Sequence, residues 1–441
     1  MRKYNYVLGF ILLFILLITP ISTIYAQELW SYDPNKNVKF ELSDSDYRIS
    51  EVCMSENANY IAFGLYRENF IRDEKGNNIL DDQGRALKDK QSKIVSLNMK
   101  GEELWSFKTQ YKIKTIRMDR KGEFIAVETS SFPCFTDYNK CGEKVYVFNK
   151  SGTPLWAYED ARFPYVDSSG NVLLHTPQGV EMYTVDKKLL WRYQQKDLNY
   201  LAASDDLELI AVGVYAYDEQ KMETIYSKMQ LLDKKGRIIW ERNTKDPIRE
   251  VYFSDDGNLI VANTYGGSGF YLFDKNGNYK TYVPENIFSS NLSMTPDCKY
   301  MITTSPNKYI AGAKSTDELI LLNHNAEVLW KVNIDSENPY DIKISNDGNY
   351  IYIVYCARSL VIMDARTGEE LKSVNNHNFC SLYSSKDGKY LTTGGYKLFL
   401  FDTQSLNKYS NSKNVGPSPI PYIFLLSLAG ILLYYIRNKT Q

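Results

Sequence analysis

The chain has 441 residues, of which 14% are aromatic (36 tyrosines) and 24% charged, with a formal net charge of −1 at pH 7. A near-neutral chain without a basic stripe cannot supply the counterion release that dominates nucleic-acid binding, so no nucleic-acid partner is expected. There are three histidines and six cysteines, with no CxxC pair, which excludes the common zinc patterns; no metal or cofactor site is expected.

Arg2 and Lys3 precede a mostly apolar run over residues 6–19, and Ala26 lies at a suitable cleavage point. Residues 1–26 therefore read as a secretory signal, with an uncleaved anchor helix as the alternative. Glu28-Leu29-Trp30-Ser31 then reads as a strand without a hairpin partner of its own.

Downstream, a repeat emerges, and its clearest unit runs over residues 248–283. Ile248 to Phe253 alternates as a strand, Ser254-Asp255-Asp256-Gly257 turns, and Leu259 to Ala262 is a second strand. Phe270 to Phe273 is a third, Asp274-Lys275-Asn276-Gly277 turns again, and Tyr279 to Tyr282 is a fourth. First-turn signals recur at residues 55–58, 119–122, 167–170, 204–207, 295–298, 345–348 and 385–388.

A short strand closing on Trp marks the end of most units, so that Trp30, Trp105, Trp156, Trp191, Trp240 and Trp330 align with Thr281 and Lys372. This periodicity predicts an all-β, eight-bladed β-propeller, with seven blades as the alternative. The last unit stops at Phe401-Asp402 after three strands, and the orphan strand at Trp30 is expected to complete it, removing two exposed edges.

Ile362 to Leu371 and Leu231 to Trp240 resemble the tryptophan-docking repeat of quinoprotein-like eight-bladed propellers. The strand-turn-strand from Val251 to Ala262 is similar to WD-repeat units, although the Trp-Asp and Gly-His dipeptides of true WD repeats are missing. The resemblance covers residues 29–402 and implies that the six tryptophans pack between blades. It also raises a pyrroloquinoline-quinone and calcium oxidoreductase as an alternative function. The adjacent cysteine pair that one branch of that family carries beside its cofactor is missing here, so an enzyme is not expected.

His175, His324 and His377 fall at different places in the repeat and are expected as separate surface or capping residues. Asp274 and its neighbours fit hairpin-turn chemistry better than a calcium loop. Cys134 and Cys141 bracket six residues and are expected to form a disulfide in an exported domain. Asn149 and Asn291 match the glycosylation pattern.

Loops between second and third strands share one face of a propeller with the blade linkers, and insertions gather on that face at residues 67–91, 130–143, 217–227 and 305–316. The candidate binding face therefore comprises Arg67, Arg72, Asp81, Asp82, Arg85, Tyr138, Tyr217 and Lys308.

Residues 27–405 form the propeller on this reading, and 406–419 a polar stalk. Residues 420–436 form a transmembrane helix, and 437–441, with Arg437 and Lys439, a cytoplasmic tail. A processed cell-surface sorting signal is the alternative for this end. The expectation is a monomeric, single-span, extracytoplasmic scaffold that binds a protein or cell-envelope partner at the cell surface. A structural cell-envelope protein with carbohydrate contacts is a further alternative.

Overall fold

The computed structural model describes residues 28–32, 47–81, 84–130, 143–218, 220–265, 269–283, 291–306, 317–334, 339–355, 359–375, 379–395 and 397–404. They form eight four-stranded antiparallel sheets, each a blade. Blades 1 to 7 follow chain order, first strand innermost. Blade 1 comprises Arg48–Met54, Tyr60–Phe70, Lys88–Asn98 and Glu103–Thr109, and blade 5 comprises Ile248–Phe253, Leu259–Thr264, Phe270–Asp274 and Tyr279–Val283.

Blade 8 takes three strands from the end of the propeller, Phe379–Ser384, Tyr390–Gly395 and Leu398–Asp402, and its fourth from β1, Glu28–Tyr32. Trp30 pairs with Leu400, Ser31 with Phe399 and Tyr32 with Leu398. The ring thus closes non-covalently through its first strand, as the orphan strand required.

Strand position within a blade explains the hydrophobic pattern. The second strand of blade 5 is buried along its whole length because neighbouring blades cover both faces of the sheet. The outermost strand of blade 1 instead alternates between exposed and half-buried residues. Core residues fall into eight clusters, each spanning two neighbouring blades; Leu398 and Leu400 of blade 8, for instance, join Ile61, Phe63 and Leu65 of blade 1.

All eight first turns place a left-handed residue at their fourth position: Ala58, Gly122, Gly170, Leu207, Gly257, Cys298, Gly348 and Gly388. Ser254 shows why the sequence turns there. Its hydroxyl donates to Asp256 at 2.6 Å and accepts the Leu259 N–H at 2.9 Å, replacing backbone bonds that the tight turn cannot make. Thr295, Ser345 and Ser385 make the same pair of bonds.

Each tryptophan position falls at a register shift in its outer strand. In Trp105, Trp156, Trp191, Trp240 and Trp330 the indole meets the third-to-fourth-strand turn of the next blade. Trp105 donates its indole N–H to Lys150 O at 2.9 Å, Trp191 to Lys234 O at 2.8 Å, Trp240 to Lys275 O at 3.1 Å and Trp330 to Ala365 O at 2.8 Å. A glycine follows in each of these turns, and a Cβ on Gly152, Gly236 or Gly277 would lie within 2.4 to 2.6 Å of the indole.

Trp156 meets a different turn, donating to Val185 O at 2.7 Å. There Lys187 takes the glycine's place at φ +63 and lays its ammonium 5.8 Å over the indole. The side chain of Trp30 lies outside the described residues.

Several expectations fall outside the described residues: the 1–26 signal, the stalk, span and tail, Cys134, Cys141, Asp82, Tyr138, Lys308 and His377. Among the described residues, no helix is long and apolar enough to cross a membrane. Cys53 and Cys298 are free, buried thiols, and burial pushes both up to about 12.

Candidate functional site

Two of the four insertions are not loops. The second and third strands of blade 1 continue through Arg67↔Gln91 to Phe70↔Lys88, and those of blade 4 (Leu209–Asp218 and Glu223–Asp233) reach Asp218↔Glu223. These strands have 10 or 11 residues where those of blades 3 and 5 have five or six, so both hairpins stand roughly 13 Å proud of the blade body.

At the tip of blade 1, residues 71–81 and 84–87 form a self-contained knot with an eight-residue recurrence: Ile71, Ile79 and Leu87; Asp73 and Asp81; Gly76 and Gly84. Ile79 N donates to Ile71 O, Leu87 N to Ile79 O, and Ile71 N to Leu87 O, closing a triangle of backbone bonds of 2.8 to 2.9 Å. Asp73 accepts the amides of Lys75 and Asn77, and Asp81 that of Arg85.

Arg72 and Arg85 are exposed on this knot, with Arg85 paired to Asp81 at 2.8 Å. Arg67 does not belong to the exposed face: only 3% exposed, it lies 5.1 Å over the Tyr47 ring and 3.8 Å from Asp89, because the extended strand carries it into the blade. Tyr217 is exposed on the blade 4 hairpin and stacks on Tyr215. The tips also present apolar surface, Phe70, Leu80 and Leu87 on blade 1 and Met222 (79% exposed) and Ile225 on blade 4.

The remaining sequence candidates separate cleanly. His175 is half-buried: its ring stacks on Phe163 and its Nδ1 is enclosed without a partner. Burial, then Arg162, lowers it to about 4. The half-buried Asn291 donates its side-chain N–H to Pro339 O at 2.9 Å, so the nitrogen that a glycan would use is engaged in the folded chain. Asp274 accepts the amides of Asn276 and Asn278 and the Asn278 side chain, which is turn chemistry.

A second constellation, missed in the repeat, lies where the inner strands meet the axis. Stepping back two residues from each first turn gives Cys53, Arg117, Tyr165, Ala202, Tyr252, Ser293, Lys343 and Tyr383, and two further steps give a layer that includes Glu51, Tyr200, Glu250 and Asp341. Of these, Arg117, Tyr165, Tyr200, Glu250 and Tyr252 line a space at the axis, while Cys53 and Ala202 pack between blades.

At the mouth formed by the first turns, Lys386 of blade 8 reaches across the axis to Asp205 of blade 4 at 2.6 Å and Asp255 of blade 5 at 3.2 Å, while Arg120 lies 3.4 Å from Asp205. Burial works against the Lys386 charge, but the two aspartates outweigh it and raise its pKa. Neighbouring turns are also stitched together, Glu56 N to Arg120 O at 2.8 Å and Ser168 Oγ to Asp119 at 2.9 Å. Behind this bridge is a cavity of about 310 Å³ lined by Arg117, Tyr165, Tyr200, Glu250 and Tyr252.

The fold is that of the quinoprotein-like and WD-repeat-like propellers. BamB from Moraxella catarrhalis is similar over 76% of this chain and 98% of its own, at 14% identity and a TM-score of 0.50. Sqt1 from Chaetomium thermophilum covers 81% of this chain and 96% of its own at 11% identity and a TM-score of 0.56, and the C-terminal WD40 domain of Sif2 covers 85% and 97% at 10% and 0.55. No protein-family model and no curated protein matches the sequence.

Proposed function

We propose that the protein is a binding scaffold that holds a protein partner on the face bearing the two extended hairpins. The observation that carries this is their apolar, exposed tips, Phe70, Leu80 and Leu87 on one and Met222 and Ile225 on the other. Large apolar side chains grouped on a projecting element suit protein contact. A Sqt1 propeller of this fold has been solved bound to the N-terminus of ribosomal protein L10, which supports a protein-binding reading.

The scaffold is anchored, on this proposal, by residues 420–436, with the propeller outside the cytoplasm at the cell surface. Topology supports that arrangement. Leu398–Asp402 ends, and Glu28–Tyr32 begins, on the first-turn face, so both flanking segments leave opposite the hairpins. An anchor there would direct the hairpins away from the membrane.

The test is partner capture from intact cells by the full chain and by a variant in which residues 71–87 are replaced by Asn-Gly. Loss of the partner with the shortened chain is expected. Equal capture by both would remove the hairpin of blade 1 from the binding face.

A further inference from the structure

We propose that the axial cavity on the first-turn face is a binding site for a small oxyanion, a carboxylate or phosphate, with Arg117 as its charge anchor. The site is separate from the hairpin face and does not depend on it. Its volume, about 310 Å³, is at the small end of ligand pockets, which run from about 300 to about 1,000 Å³.

Most hydrogen-bonding groups in the cavity are already engaged. Asp205 and Asp255 hold Lys386, and Asp205 also holds Arg120. Asp206 accepts from the Ser204 hydroxyl at 2.6 Å. Glu250 accepts from the Tyr252 hydroxyl at 3.0 Å and from Asn263 at 3.4 Å. The carboxylates lining the cavity therefore have partners.

Arg117 differs. Its guanidinium is enclosed by the inner strands yet solvent-accessible through the channel, and among the described residues it makes no ion pair; it lies 5.4 Å over the Tyr165 ring. Glu51 is within electrostatic reach but does not bridge to it among the described contacts. The Tyr165 hydroxyl has no hydrogen-bond partner in the described structure, and the Tyr200 hydroxyl only accepts, from Val251 N at 3.4 Å.

The uncommitted groups are thus a planar cation and two phenolic donors from blades 2, 3 and 4, converging on one space. That set complements an acceptor-only ligand. Guanidinium geometry matches both carboxylate and phosphate, and the flanking tyrosines supply directional donors and an aromatic wall.

Isothermal titration of the full chain with malonate, citrate, inorganic phosphate and neutral glycerol tests this. Saturable one-to-one binding of at least one anion, and none of glycerol, is expected, and the preferred anion distinguishes carboxylate from phosphate. Arg117→Gln should weaken that binding about tenfold or more, as expected for loss of a charged hydrogen bond. Arg237→Gln, which removes an exposed guanidinium paired with Asp233 outside the cavity, should leave it unchanged. If Arg117→Gln fails to fold, the Tyr165→Phe, Tyr200→Phe double variant replaces it, with several-fold weaker binding expected. Absence of saturable binding by all three anions, or binding indifferent to these cavity substitutions, would overturn the proposal.

Discussion

Trp240 shows how one side chain joins two blades. It is 5% exposed, lies tilted with its ring centroid 5.2 Å from that of Phe273, and donates to Lys275 O of the following blade. Trp240→Ala should cost about 3–5 kcal/mol, the range for removing a buried aromatic. Gly277→Ala should also destabilise, since φ is +76 and the new Cβ would sit 2.5 Å from the indole. Equilibrium denaturation checks both, and losses below about 1 kcal/mol would contradict the docking contact.

Two half-buried titratable groups oppose each other at the same scale. Burial raises Glu51 from 4.5 to about 7, Arg117 pulling the other way, while burial and Arg162 lower His175 from 6.5 to about 4. Between pH 4.5 and 7 the folded state keeps the Glu51 proton that the unfolded chain has released, so this group's contribution falls as pH rises. Between pH 6.5 and 4 the unfolded chain protonates His175 first, so its contribution is lost as pH falls.

Each effect is on the order of 3 kcal/mol, and over the shared window they offset. Asp256 and Asp297, held below 3.8 first by hydrogen bonds from Ser254 and Thr295, titrate beneath it. Glu51→Gln should therefore lose stability from pH 6.5 to 4.5, and His175→Leu should gain it, as urea unfolding at stepped pH would show. Unchanged flat profiles in both variants would contradict this account.

At the scale of elements, the extended hairpin of blade 1 should separate from the core. Phe70 and Lys88 are cross-strand partners, so an Asn-Gly pair between them makes a two-residue hairpin of favoured geometry. Replacing residues 71–87 in this way should shift the melting temperature by no more than a degree or two, because the knot's backbone bonds are internal to it. Cutting back far enough to remove Arg67 should instead lower the melting temperature clearly, since its buried guanidinium packs on Tyr47. A large loss in the first variant would show that the knot braces the core.

The difference between those boundaries marks the limit of what was legible in the sequence. Turn chemistry is local, so Ser254 and Asp256 announce their turn, and even Cys298 and Leu207, poor left-handed residues, sit where the spacing places them. Strand length beyond the blade is not local. Residues 67–70 and 88–91 are polar enough to read as loop, yet pair because the hairpin continues. The axial site was hidden for a related reason: Arg117, Tyr165 and Tyr200 are far apart in the chain, and only the ring closes them on one space. Aligning the units on their first turns and reading two and four residues back would have revealed the layers.

In the whole molecule, the N-terminal strand closes the ring. Its backbone pairing with Leu398–Asp402 completes blade 8, whose inner strands pack on the first strand of blade 1. A propeller stores stability in the circuit, so opening one joint should loosen both blades beside it. Amide hydrogen exchange on the full chain and on a chain lacking residues 28–32 tests this most directly. Deletion should lower the melting temperature and strip protection from Leu398–Asp402 and Arg48–Met54 together, while Ile248–Phe253, on the far side of the ring, keeps more of its own. Unaltered protection at Leu398–Asp402 would contradict closure by this strand.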